Sequence, residues 1–456
     1  MESPDAKHDP YAAFRVSNYR WFAAGHVMNV LGGQMAAVAV GWELYQRTNS
    51  ATALGLVGFV QFFPILFLGI PAGHVADVFD RRKIVMLSQI AAMLSAFSLG
   101  IASLFSQHIP LVLPLRLLND ACIWLARSLH EQGAIFNDGY VPLMYVLLLI
   151  NGVVRAFYQP ARSSLLPQIV PGNVFTNAVT WTTSLFETCA MIGPTVGGGI
   201  IAALMWKDQT KLWAYPAIYL INSLGQFGQV LSLSFIKVVN PPREKEPITL
   251  KSLSAGITHV WQTKLLLATI TLDLLAVILG GATALLPIFA KDILHMGPTG
   301  LGWLRAGPSF GAVAMAMIIA HRPPMKHAGR NLLLSVIGFG FATIIFGLSK
   351  NFWLSFVMLV LIGGLDNISV LVRHTLAQTL TPDHLRGRVS AVTNIFIYCS
   401  DQLGSFESGI LAARLGAVAS TVIGGVGAII VTTASAFIWP QLRELKSLSD
   451  TEHTSK

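Results

Sequence analysis

The chain has 456 residues, of which 53% are hydrophobic and only 12% are charged. Soluble domains carry roughly 25% charged residues, so too few charges are present to cover a water-facing surface of this size, and a lipid-covered one is expected. The net charge of +9 does not argue for a nucleic-acid partner, because the basic residues fall in short clusters between apolar runs, as membrane topology signals do. Cys122, Cys189 and Cys399 are far apart and form no CxxC pair, so neither a disulfide framework nor a metal site is indicated.

The first segment, 1–18, is polar and mildly basic, has no signal-peptide pattern, and reads as a cytoplasmic tail. Apolar runs follow at about 19–45, 52–74, 84–106, 141–161, 175–205, 212–236, 265–289, 300–320, 331–349, 352–372, 389–413 and 417–439. A spanning helix needs ~20 mostly apolar residues, so each run can cross a bilayer. The predicted fold is an all-α membrane protein with twelve transmembrane helices in two pseudo-symmetric six-helix bundles, 19–236 and 265–439. With the N-terminus inside, the inner segments hold well over twice as many Lys and Arg as the outer ones. That bias favours both termini in the cytoplasm of a multi-pass inner-membrane protein.

The halves repeat. Leu54-Gly55 opens the second span and Leu301-Gly302 the eighth, an offset of 247 residues. Arg162, Leu165 and Pro171 follow the fourth span, and Arg373, Leu376 and Pro382 follow the tenth at an offset of 211; Gly193 and Gly198 map onto Gly404 and Gly409 by the same offset. The shorter offset puts about 36 extra residues in the first half, near 107–140. In this outer insertion Leu118, Cys122, Leu125 and Leu129 share one helical face, with Arg127 and His130 off it. It reads as an amphipathic helix on the outer leaflet or over the outer mouth, or equally as a tolerated surface insertion. The linker, 237–264, carries an apolar stripe of Leu250, Leu253, Ile257 and Trp261 at helical spacing, which predicts a short helix along the membrane surface. Residues 440–456 form a second cytoplasmic tail.

Charges inside spans cost several kcal/mol unless paired or wet, so they are functional candidates by default. Asp273 lies in span seven, and its repeat-mate is His26 in span one; both types can exchange protons. Arg155 in span four has Asp366 in span ten as its mate, opposite charges that could pair or bind a charged substrate. Glu187, Asp401 and Glu407 complete the set. Proton-coupling candidates are Asp273, His26, Glu407 and Asp366; substrate-cavity candidates are Arg155, Glu187 and Asp401. Half of these are expected to be salt bridges that only position helices. Glu43 reads as an interfacial or gate residue, and Trp21, Trp42, Trp206, Trp213, Trp353 and Trp439 as interface belts.

The loop GHVADVFDRRK places Gly73, Asp77, Asp80, Arg81 and Arg82 between spans two and three. Gly73 suits a close helix approach, and Asp77 suits pairing with a helix N-terminus or an Arg across a cytoplasmic gate. This spacing resembles the loop motif of the major facilitator superfamily. In span five, Gly193, Pro194, Gly197 and Gly198 resemble the antiporter motif of that superfamily's exporters. The stretches GWELYQRTNSATALGLVGFVQFFP, RAFYQPARSSLLPQIVP, DLLAVILGGATALLPIFAKDIL and RGRVSAVTNIFIYCSDQLGSFESG resemble its enterobactin-exporter-like branch, the transmembrane secretion effector family. The resemblance covers nearly the whole chain apart from 107–140 and the tails. It implies alternating-access efflux of small amphipathic molecules, siderophore or drug-like, coupled to proton entry, and a monomer in the lipid bilayer. A sensor or scaffold on the same fold, and a lipid or metabolite transporter, are the alternatives. No P-loop, HExxH or GxSxG occurs, so no cofactor, direct ATP drive or enzymatic activity is expected.

Overall fold

A computed structural model describes residues 9–131, 139–207, 212–238, 250–322, 325–382 and 385–445, apart from the side chains of 70, 77, 250–255, 282, 386, 387 and 391. Twelve long helices follow one another: α1 (Ser17–Thr48), α2 (Ala51–Val78), α3 (Arg81–Leu104), α4 (Tyr140–Ile169), α5 (Phe175–Lys207), α6 (Pro216–Ser234), α7 (Lys264–Gly280), α8 (Gly297–Ala320), α9 (Ala328–Leu348), α10 (Phe352–Thr379), α11 (Arg386–Leu415) and α12 (Ala417–Ile438). All but α6 and α11 are long and apolar enough to cross a membrane by length and composition, α7 together with the turns that follow it to Ile293 and α2 over Ala51–Gly69. In α6 the polar residues Asn222, Ser223, Gln226 and Gln229 are buried against neighbouring helices. In α11 the mean apolarity is lowered by Asp401, Glu407 and the basic residues near its ends.

Local chemistry sets the boundaries. Ser50 caps α2 by accepting from the Ala53 amide at 3.0 Å, Asn351 caps α10 by accepting from Leu354 at 3.1 Å, and Asp80 caps α3, each meeting donors that a helix start leaves free. α1 ends at Asn49, which takes the left-handed conformation (φ 44°), a residue type suited to that position. α7 stops at Gly280 and continues through a 3-10 turn, a short helical turn around Pro287 and a π-helical turn, Phe289–Ile293.

The packing repeats between halves. α1 packs on α5 and α6, as α7 packs on α11 and α12; α2 and α3 pack on α4, as α8 and α9 pack on α10; α3 packs on α6, as α9 packs on α12. The main contacts between halves are α2 with α11 and α5 with α8. We call the end carrying the N-terminal segment and the α2–α3 turn the tail face, and the other the insertion face.

The insertion forms a helix, Leu113–Ser128, that packs on α4 and α2. Cys122 and Leu129 are buried and Leu118 and Leu125 half-buried, with Arg127 and His130 exposed, so the stripe expected from sequence faces the bundle. Glu131 fixes its end by accepting from the Ser50 hydroxyl at 2.8 Å and the Ala51 amide at 2.5 Å, at the start of α2. The linker forms a helix, Leu250–Gln262. Gly256 lies against Arg388 of α11 and Val260 is buried, whereas Ile257 and Trp261 are exposed. The described part of the stripe, Ile257 and Trp261, therefore looks away from the protein, where lipid can cover it. Trp42 is also displaced from the expected interface belt: it is buried in the core.

A charged cavity between two helix bundles

Two arginine pairs occupy equivalent places in the halves. Arg373 of α10 forms a buried ion pair with Asp273 of α7 and donates from Nε to the Ser369 carbonyl at 3.3 Å. At the corresponding positions of the first half, Arg162 of α4 lies with Nη2 3.0 Å from Nε2 of His26 on α1. The sequence offsets had set Asp273 against His26 and Arg162 against Arg373. They did not say that Asp273 would touch Arg373 and His26 would touch Arg162 within the same half, which only the helix packing decides.

The remaining charges surround these pairs. Along α4, Arg155, Gln159 and Arg162 fall on one face at helical spacing. Arg155 lies within Coulombic range of Asp401 on α11 and of Arg305 on α8. Gln159 donates to the Tyr398 hydroxyl on α11, crossing between halves. Asp366 lies within range of Asp273, Asp401, Glu187 and Arg373, and Glu187 of α5 lies near Ser309 of α8. Arg155 and Asp366 make no ion pair with each other among the described residues. Glu407 lies six residues beyond Asp401 along α11, half-buried beside Ser408. Arg305 and Tyr398 belong to this constellation and were missed from sequence, where Tyr398 is one aromatic among many. Asp273 sits between two small cavities, one lined by Arg373, His374 and Thr393, the other by Ser335, Asp366 and Ser369.

At the insertion face the halves touch closely. A Cβ on Gly55 of α2 would lie 3.0 Å from Gly409 Cα on α11, and a Cβ on Gly198 of α5 would lie 3.1 Å from Gly302 Cα on α8. Gly55 and Gly302, like Gly198 and Gly409, are repeat-mates, so the same crossing is built twice. Gly193 and Gly197 instead pack α5 on α1, with a Gly193 Cβ 2.6 Å from Gln34 Cβ. Pro194, within the same helix, turns its carbonyl to Gly302. Beyond the crossings, Tyr45 of α1 donates to Asp292 of the π-helical turn, and Lys291 donates to Asn49 Oδ1 at 2.5 Å while lying 4.9 Å over the Tyr45 ring.

The tail face differs. Asp80 accepts from the Arg82 amide at 2.9 Å, Arg81 reaches the Ser164 carbonyl of α4 at 2.8 Å, and Arg82 the Ser234 carbonyl of α6 at 2.8 Å. These bonds tie the α2–α3 turn within the first half. The close approach expected at Gly73 is not made, since a Cβ there would meet nothing within 4 Å. The Asp77 side chain, expected to bridge the gate, lies outside the described residues. Glu43 is a buried hub rather than an interfacial residue. It is 0% exposed and accepts from Arg47 (3.0 and 2.9 Å), Ser103 (2.7 Å), Tyr140 (2.9 Å) and Tyr219 (2.7 Å).

The sequence profile of the Major Facilitator Superfamily matches residues 22–400. The multidrug efflux pump Tap of Mycolicibacterium fortuitum is 24% identical over 426 residues, covering 91% of this chain and 93% of its own. The enterobactin exporter EntS of Citrobacter koseri is 24% identical over 415 residues, covering 90% and 89%. Among solved structures, a bacterial homologue of the human lysosomal transporter Spinster, inward-facing and occupied, superposes with a TM-score of 0.62 at 13% identity, covering 98% of each chain. The xylose transporter XylE of Escherichia coli, inward-open, gives 0.60 at 12% identity, covering 98% and 100%. At these identities the two structures speak to the fold alone.

Proposed function

Because the chain belongs to the Major Facilitator Superfamily, we propose that it is a proton-coupled exporter that carries small amphipathic molecules out of the cytoplasm by alternating access. The observation that carries this reading is the combination of charged side chains gathered between the halves with a seal at one end. Both glycine crossings and the Tyr45–Asp292 contact lie at the insertion face, while an added Cβ at Gly73 on the tail face would meet nothing within 4 Å. The Lys and Arg bias supports a cytoplasmic tail face in the inner membrane, so this conformation would load substrate from inside. Export rather than uptake is supported by the relatives, one a multidrug efflux pump and one an enterobactin exporter, and by the span-five glycine motif.

In this mechanism Asp273 is the proton carrier. Its carboxylate is held by Arg373 while ionised. Protonation removes the charge that Arg373 holds and leaves the guanidinium to rearrange, which changes the balance between α7 and α10. Arg155, Asp401, Asp366 and Glu187 offer the substrate both signs of charge. The halves then close at the tail face, with the α2–α3 turn as the latch, and part at the insertion face. The protein works as a monomer embedded in lipid.

The test is efflux from energised cells stripped of their own pumps, loaded with a cationic dye, a macrolide and a catecholate siderophore. Wild type lowers retention of at least one compound, and a protonophore or Asp273→Asn restores it at equal expression. Retention matching the empty host for every compound, despite good membrane expression, removes export of these classes. Normal pumping by Asp273→Asn removes Asp273 from the coupling.

A further inference from the structure

The α4 face turned to the second half carries three polar rungs, Arg155, Gln159 and Arg162. The second half answers the first two: Asp401 faces Arg155 and Tyr398 bonds Gln159. Arg162 lies one turn, about 4–5 Å, further toward the tail face, where among the described residues no hydrogen bond or ion pair from the second half reaches it. Its side-chain partner is His26, at 3.0 Å, and among the described residues no carboxylate lies within ion-pair distance of it. It is half-buried, so water meets only part of its guanidinium.

The pair is short of acceptors. A guanidinium has five donors and no acceptor, so the His26 Nε2 facing it must be the accepting nitrogen, which puts the ring proton on Nδ1. That Nδ1 is buried and without a partner, and His26 is 1% exposed. The second half solves the same problem differently, because its arginine at the equivalent place, Arg373, is neutralised by Asp273. One position therefore holds a carboxylate in one half and lacks it in the other.

We propose that Arg162, with His26 beside it, is a docking subsite for an anionic group of the substrate, a carboxylate or an acidic phenolate, at the tail-side mouth of the cavity. The ligand would supply the charge that Asp273 supplies in the second half, through charge-assisted hydrogen bonds to the guanidinium fork. Arg155, two turns deeper on the same face, would draw the anion inward. This rests on the reading that the cavity carries substrate, but it concerns binding and does not depend on coupling.

The experiment is equilibrium binding to the purified full chain in detergent, read by fluorescence anisotropy. The probes are fluorescein, an anionic xanthene, and a cationic rhodamine ester of similar ring size. Wild type should bind fluorescein, and Arg162→Gln should weaken it about tenfold or more. His26→Asp, which rebuilds the second-half pair and neutralises Arg162 internally, should weaken it as much while keeping the thermal unfolding midpoint. His26→Asn, which leaves the arginine unneutralised, should stay within a few-fold of wild type. Rhodamine binding should be unchanged throughout. The proposal falls if wild type does not bind fluorescein, or if folded His26→Asp and Arg162→Gln bind it as wild type does. Should either variant fail to fold, the other decides. Intact fluorescein binding with no efflux from cells would sink the export reading and leave this subsite standing.

Discussion

Glu43 collects five hydrogen bonds from four side chains on four helices, α1, α3, α4 and α6. Removing one partner of a buried charge pair leaves the other uncompensated, which costs about 3–5 kcal/mol. Glu43→Ala should lower the stability of the purified protein by that order, seen as a marked drop in the thermal unfolding midpoint, with Glu43→Gln less severe because an amide still accepts from the tyrosines. A midpoint within a degree or two of wild type for Glu43→Ala would show that the hub is incidental. This role was hard to read from sequence. The run GWELY reads as an interfacial glutamate near a helix end, and Ser103, Tyr140 and Tyr219 are scattered along the chain, with nothing local to mark them as its partners. Asp273 was easier, because a carboxylate deep in an apolar run stands out by its cost alone. What sequence left open was its partner, since Arg373 sits near the end of a span and could equally have pointed at water.

The insertion helix shows how far periodicity reaches at the scale of an element. The spacing of Leu118, Cys122, Leu125 and Leu129 identified the docked face, because a helix repeats its face every three to four residues. The linker helix carries an equally clear stripe, but the protein packs on Gly256 and Val260, while Ile257 and Trp261 of the stripe are exposed. An apolar stripe states only that something apolar covers it, and in a membrane protein that can be lipid. Docking of the insertion has a chemical reporter. Burial pushes the Cys122 thiol up to about 11, so near neutral pH it is almost wholly the unreactive neutral form. Wild-type Cys122 should resist alkylation by iodoacetamide at pH 7.5, and Glu131→Ala, which releases the helix end from α2, should speed it several-fold by peptide mass mapping. Equal rates would show that Glu131 does not hold the helix down.

For the whole molecule, the repeat offsets were the most informative reading of the sequence. They singled out Gly55, Gly302, Gly198 and Gly409 as equivalents before any packing was known. An offset reports equivalence and not adjacency, so it could not say that Gly55 would cross Gly409 and Gly198 would cross Gly302. Nor could it show that Gly73 stands free, because whether a gate is closed depends on which of two conformations the halves adopt. If the crossings hold the insertion face shut, Gly198→Leu and Gly409→Leu should each disfavour the tail-open state. In a thiol-accessibility assay on inverted vesicles, a cysteine placed at Gly73 should then label several-fold more slowly than in the parent, and unchanged labelling would contradict this. The position of the crossings also constrains the motion itself. Gly55 lies near one end of α2, so the arm to Val78 is about 35 Å long and the arm to Ala51 only about 6 Å, at 1.5 Å per residue. A tilt of roughly 10° about this fulcrum would sweep the tail end through about 6 Å but move the other end by only about 1 Å. Such a lever can shut the mouth it already opens and can do little at the opposite side. To release cargo there, the glycine clasps themselves have to come apart, so the outward step needs a separate rupture and not the same swing reversed.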